Sequence, residues 1–235
     1  MTTRIRAAAA LALLTLAAGC GSDKGDDGAD SDFAKKSATE IADAAKADMK
    51  KLDAVKYSGE ISSDGQAISL DIQASSAGDC TGSIGLGEGT AELLSKDGDN
   101  WFRPDEAFWR QQAPDDADVI IAAVGDKWVV DTDAEFAQFC DLDAFFDNVF
   151  ADEKDGSDYK TVGTDEVDGQ DVVKVENTDD KGTSTGFVLV DEPHYLLKIE
   201  RTEGDEPGKI EFSEFDEEFE VDAPGDDEVV DLSQL

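Results

Sequence analysis

Residues Ala7–Cys20, AAAALALLTLAAGC, constrain what this chain can become more than any other stretch. Arg4 and Arg6 stand just before it, and Ala7–Ala18 is alanine and leucine broken only by Thr15. A helix of that length is too short to cross about 30 Å of hydrocarbon, which takes about 20 apolar residues. It has the length of the apolar region of a secretory signal, and the small residues Ala17, Ala18 and Gly19 follow before Cys20. The folded part is therefore expected beyond residue 19, outside the cytoplasm.

Small residues leading into a cysteine resemble the bacterial lipobox, here with Ala17 where leucine is usual and Leu16 one place early. The resemblance implies that residues 1–19 are a signal peptide and that Cys20, once cleaved free, carries a diacylglycerol as the new N-terminus. Two signals of acyl type give stable anchoring where a single chain is marginal. The expected location is the extracytoplasmic face of the cell membrane, with a lipid anchor. An ordinary signal peptide with an incidental Cys20 is the other reading.

With 57 acidic residues against 20 basic and a formal charge of −37, the chain repels nucleic acid and anionic headgroups alike. Nucleic acid is excluded as a partner, and membrane contact falls to the acyl chains on Cys20. The acidity fits a solvated surface, adaptation to salt, or loose binding of divalent cations. Cysteine usage agrees with export. With Cys20 assigned to lipid, Cys80 and Cys140 remain as an even pair in an oxidising compartment and are expected to be bonded. Such a loop of about 60 residues is worth ~4 kcal/mol in the chain-entropy model. Two separate buried thiols are the alternative.

Residues 20–32 read as the lipidated cysteine and a flexible acidic tether, with no apolar side chain larger than alanine in Gly21–Asp32. Ser31 or Asp32 is expected to cap a first helix whose apolar face is Phe33, Ala38, Ile41, Ala45, Met49 and Leu52. From Val55 the period changes to two. Val55–Ile61, Ile68–Ala74, Cys80–Leu86, Ala91–Lys96 and Asn100–Arg103 read as short strands about glycine turns, an antiparallel meander. Pro104–Phe150 reads mostly helical: Pro104 opens one helix, Asp115 or Asp116 another through Val119, Ile120, Ile121 and Val124. Thr132-Asp133-Ala134-Glu135 has the form of a capping box before Phe136, Phe139, Cys140, Leu142, Phe145, Phe146, Val149 and Phe150. Strands resume at Tyr159 and continue, with a hairpin at Asp168-Gly169, to Phe219–Val221. Half of Glu203–Glu228 is acidic, which suits an edge strand. The expected organisation is one domain over 33–224 and an acidic tail over 225–235.

Catalytic motifs fail one by one. Gly182-Thr183-Ser184-Thr185-Gly186 matches G-x-S-x-G, with Asp191 and His194 following in order, but a nucleophile elbow needs a helix after the serine. Here Phe187–Val190 reads as β. His194 is the single histidine, so a histidine-based metal site lacks a second imidazole. The run Asn177-x-Asp179-x-Lys181-Gly182 opens like an EF-hand loop, yet its twelfth position is Val188 where glutamate is required. Neither an enzyme nor a cofactor is expected.

Several segments resemble the LolA/LolB-like lipoprotein superfamily, and in character the LppX/LprG-type envelope lipoproteins of actinobacteria. They are Gly163–Gly169 with its following strand, Phe187–Asp191, Leu196–Ile199, Ile210–Ser213 and Val221–Pro224, together with Tyr57–Gly59, Cys80–Gly82 and Trp101–Trp109. The resemblance implies an α+β fold, a curved antiparallel β half-barrel with an N-terminal helix and lid helices over an apolar cavity that holds acyl chains. Val119–Val124 and Phe136–Phe150 are the natural lid. Val119, Ile120, Phe136, Phe139, Leu142, Phe146, Val149 and Phe150 are then the expected lipid-binding residues, with Phe139, Phe146 and Val149 facing the ligand. The function implied is a carrier that binds acyl chains or a lipidated partner. The alternative is a filled core, and with it a non-catalytic adaptor or sensor of the envelope that binds a partner protein.

Overall fold

The computed structural model describes residues 31–234 except 64, 133–134, 151–157, 180–181 and 205. The signal segment, Cys20 and the tether up to residue 30 lie outside the described residues. No described helix is long and apolar enough to cross a membrane.

The first helix, α1, is Ala38–Met49, and its cap is Ser37 rather than Ser31 or Asp32. Ser37 Oγ accepts from the Glu40 amide while the Glu40 carboxylate accepts from the Ser37 amide, a reciprocal capping box that satisfies two otherwise open donors. Ser31 instead holds the turn before it, accepting from the Ala34 amide at 3.0 Å. Phe33 thus lies outside the helix, buried, with its ring stacked on His194.

Strands β1 (Ala54–Ser63), β2 (Gln66–Ser75), β3 (Cys80–Leu86), β4 (Gly89–Lys96) and β5 (Asp99–Pro104) form the expected meander. Pro104 ends β5 and does not open a helix. Asp105 caps α2 (Glu106–Gln112), accepting from the Phe108 amide at 2.7 Å. After α3 (Ala117–Val124) comes a sixth strand, β6 (Trp128–Val130), within the stretch that reads mostly helical from sequence. The aromatic segment, open to one helix or a helix pair from sequence, is in two pieces. Residues Ala137–Phe139 form a single 3-10 turn, and α4 is Leu142–Val149, capped by Asp141. The Thr132 capping box does not form: the Glu135 and Phe136 amides both donate to the Asp131 carboxylate.

The second meander is β7 (Asp158–Val167), β8 (Gln170–Asp179), β9 (Gly182–Leu189), β10 (Leu196–Gly204) and β11 (Gly208–Ser213). With a short strand β12 (Val229–Val230), all join one open, curved twelve-stranded sheet in the order β12-β6-β5-β4-β3-β2-β1-β11-β10-β9-β8-β7. Strand β11 is central, between β1 and β10, because Lys209 and Glu211 alternate outward to water while Ile210 and Phe212 turn in. Phe219–Val221 forms no strand. Residues 225–235, expected as a tail, supply β12 (Val229–Val230), which pairs parallel with β6 in an otherwise antiparallel sheet.

Helices cover one face. Two glycines permit the close approaches this requires. A Cβ on Gly59 of β1 would lie 1.9 Å from the Lys209 carbonyl oxygen of β11, and one on Gly89 of β4 would lie 2.4 Å from Phe108 Cα of α2. The first lets two strands coil tightly together, and the second lets a helix backbone land on the sheet.

Candidate functional site

Inward residues of neighbouring strands line up in rows across the covered face, and the rows differ in depth. The deepest rows carry Val55, Ala74 and Cys80, then Tyr57, Ile72, Leu93 and Phe212, all buried. The next row, Ile84–Leu70–Gly59–Ile210–Ile199–Gly186–Val175–Thr161, is buried at Ile84, Leu70 and Val175 but half-buried at Ile210 and Ile199. The last row runs Leu86–Ile68–Ile61–Gly208–Arg201–Ser184–Asn177–Tyr159, and every residue in it is half-buried.

Helices α1 and α4 close the deep rows. Ile41, Ala45 and Met49 of α1 are buried. Phe145 stacks on the Tyr57 ring at 4.2 Å, and Phe146 packs against Phe212 with ring centroids 6.3 Å apart. Tyr57 is fully buried. Its hydroxyl donates to the Phe139 carbonyl oxygen, and burial pushes the phenol well above its ordinary pKa. Cys80 and Cys140 are joined in a disulfide with Cα atoms 5.4 Å apart, fastening the start of α4 to β3. Lys50 pairs with Asp147, and Lys46 Nζ donates to the Phe150 carbonyl oxygen at 3.2 Å. The aromatic segment is thus strapped along its length rather than resting as a removable lid.

The eight residues expected at a lipid site separate into three groups. Leu142 and Phe146 are sealed into the core, Phe146 at 2% exposure, and so face the sheet rather than a ligand. Val119 lies on the outer side of α3 at 72% exposure. Ile120, Phe136, Phe139, Val149 and Phe150 are half-buried against the core, and Phe136 meets Phe102 at 4.9 Å. What the sequence reading missed is the half-buried rim itself: Ile61, Ile68, Leu86, Ile199 and Ile210. Strand alternation marked Ile61, Ile68 and Leu86 as inward, but the signal for how far the cover extends lies in helix lengths that Pro104 and Asp141 alter.

Ser184 sits mid-strand in β9 and accepts from Arg201 Nε at 2.9 Å. Asp191 and His194 lie in the following turn, where His194 Nδ1 meets the Leu189 carbonyl oxygen. That geometry is not a nucleophile elbow. Among the described residues no three His, Cys, Asp or Glu side chains gather into a metal-holding group.

An open curved sheet with helices over one face is the LolA-like fold class that the resemblance implied. Solved structures that share it include the lipoprotein LppX of Mycobacterium tuberculosis, 13% identical, with 79% of this chain covering 98% of that one at a TM-score of 0.52. LprF from Mycobacterium bovis is 15% identical, with 80% of this chain covering 96% of that one at a TM-score of 0.57. At these identities the likeness is one of fold. No family profile matches the sequence, and no curated protein sequence does.

Proposed function

We propose that this protein is a membrane-anchored extracytoplasmic lipoprotein, without catalytic activity, that binds acyl chains or a lipidated partner on the half-buried end of its covered face. The observation that carries the reading is the run of half-buried Ile61, Ile68, Leu86, Ile199 and Ile210, an apolar surface that continues out of a sealed core. Apolar surface left partly open gains about 0.8 kcal/mol for each CH₂ it covers, enough for micromolar binding of one chain after ordering costs. The fold shared with the lipoprotein LppX supports the same reading. Anchoring rests on Cys20. Cys20→Ala is expected to leave the membrane fraction or to remain uncleaved, and a cleaved variant that stays membrane-bound would place the anchor elsewhere.

Titration of the Cys20→Ala protein with a fluorescent fatty acid tests the site. The parent should bind, and Ile68→Trp, which fills the rim, should bind at least tenfold more weakly. Equal binding by both, or none by the parent, contradicts the reading. The burial of Leu142 and Phe146 favours a second reading, an adaptor or sensor with a filled core, which predicts no acyl binding at all.

A further inference from the structure

The covered face has two ends, and the chain enters the domain at one of them. The start of β1, the close of β11 and the β9–β10 turn lie together, since Lys56 pairs with Ser213 and Leu196 with Val188. Asp216 knits them to each other. Its amide donates to the Ala54 carbonyl oxygen and its carboxylate accepts from the Asp53 amide at 2.7 Å, while Tyr195 and Phe215 stack at 4.5 Å. This is the sealed end, beside the buried row of Val55, Ala74 and Cys80. The half-buried row of Leu86, Ile68 and Ile61 is the open end, with Ile61 about 20 Å along β1 from Val55.

The N-terminal segment is fastened at the sealed end. Phe33 is buried, with its ring centroid 3.6 Å from that of His194 in the β9–β10 turn and the two planes 6° apart. His194 is itself held twice: its amide donates to the Asp48 carboxylate at 2.9 Å, and its Nδ1 meets the Leu189 carbonyl oxygen at 3.1 Å. Ser31 Oγ accepts from the Ala34 amide at 3.0 Å and closes the turn that carries Phe33. A buried, stacked ring pair with these bonds around it is a docked root rather than a frayed terminus. A pull on Cys20 is therefore delivered to the sealed end.

Reach then decides which end meets the membrane. Fully extended, the backbone from Cys20 to Ser31 spans at most about 40 Å. A domain of this size is also about 40 Å across. With the sealed end down the link carries no tension. Turning the open end onto the bilayer would lift Ser31 by nearly the width of the domain and stretch the link close to its limit, at the cost of its conformational entropy. A formal charge of −37 keeps the body from lying flat on anionic headgroups, which leaves the link to set the orientation.

We propose that the open end faces away from the membrane that carries Cys20, so that the acyl chain or lipidated partner meets the site from the far side and not from the bilayer beneath. This rests on the anchoring and acyl-binding reading above and adds the direction from which the ligand comes.

The test uses the Cys20-lipidated protein in phosphatidylcholine vesicles with rhodamine headgroups, where Cys80 and Cys140 are bonded and one added cysteine takes a donor dye. Asp191→Cys reports the sealed end and Gln66→Cys the open end, both at exposed positions. With the ends about 20 Å apart, energy transfer should be about twofold or more stronger from the Asp191→Cys label. Equal transfer, or stronger transfer from the Gln66→Cys label, overturns the orientation. A long glycine–serine insertion after Gly28 should narrow the difference, and a difference it leaves unchanged overturns the link as the cause. Access is read with a fatty chain fixed to a large dextran, which cannot pass beneath the body. Corrected with Ile68→Trp vesicles, its binding to the anchored protein should match its binding to the Cys20→Ala protein in solution. A loss of about tenfold or more on anchoring overturns the far-side approach and leaves the acyl site standing. Binding in neither form removes the acyl site and this direction with it.

Discussion

Tyr57 and Ile61 stand on the same face of β1, two alternations apart, yet Tyr57 is completely buried and Ile61 is half-exposed. The same contrast separates Ile72 from Ile68 on β2 and Phe212 from Ile210 on β11. On β1, β2, β3 and β11 the inward residues make one continuous apolar surface, and the helices cover part of it. Over the deep rows the cover is α1, Phe145 and Phe146, held by the Cys80–Cys140 disulfide and the Lys50–Asp147 pair. Over the outer rows the apolar surface continues without being sealed. A core residue and a binding residue thus share one sequence pattern and differ in what the cover reaches.

The sharpest way to break this contrast is to hollow the sealed half. Phe146→Ala should cost about 3–5 kcal/mol in chemical denaturation, because the ring lies between Phe145, Phe150 and Phe212 with little room for collapse. A loss under about 1 kcal/mol would mean that Phe146 borders open space and belongs to the binding region after all. Next in size is the strap. Replacing both Cys80 and Cys140 by serine should cost about 2–4 kcal/mol, measured the same way, with acyl binding retained because the bond fastens the sealed half.

How far the contrast was legible in the sequence depends on which residues carried it. The period-two runs at Val55–Ile61 and Ile68–Ala74 were readable because one face meets the core and the other meets water. Strand β11 misled for the same reason. The many carboxylates around it suit an edge, but on a sheet with one solvated face an outward Glu211 is equally at home in the centre, and local sequence does not encode which strand lies beside it. Strand β12 was unreadable, since two valines in an acidic stretch acquire meaning only when β6 offers them a pairing partner. The aromatic segment was legible as apolar, but whether it made one helix or a pair was not. Asp131 and Asp141 both cap amides there, and either could have been taken as a start signal. The burial of Phe146 against the exposure of Val119 is a tertiary outcome that helix periodicity alone does not order.

Smaller effects sharpen the outer half. Ile68→Ala should cost only about 1 kcal/mol in stability, well below Phe146→Ala, while weakening fatty-acid binding measurably. The smallest concerns the seating of α1. Partial burial works against ionisation of Asp48, but donation from Lys51 and from the His194 amide at 2.9 Å prevails and holds its carboxyl below the usual range. A carboxylate lowered on folding contributes stability that is present above its unfolded pKa and lost as pH falls through the folded one. Acidification below the ordinary carboxylate range should therefore lower the Tm, and Asp48→Asn should show a shallower acid loss. Identical acid profiles would remove Asp48 from the seat of α1.

The contact between ligand and face tests the central claim most directly. In the Cys20→Ala protein with ¹³C-methyl isoleucine, isotope-filtered NOEs should run from an unlabelled fatty acid to Ile61, Ile68, Ile199 and Ile210 and be missing at Ile41, Ile72 and Ile84. NOEs to Ile41 and Ile72, or a bound chain with none to the outer four, would contradict the division of this face into a sealed core and an open site.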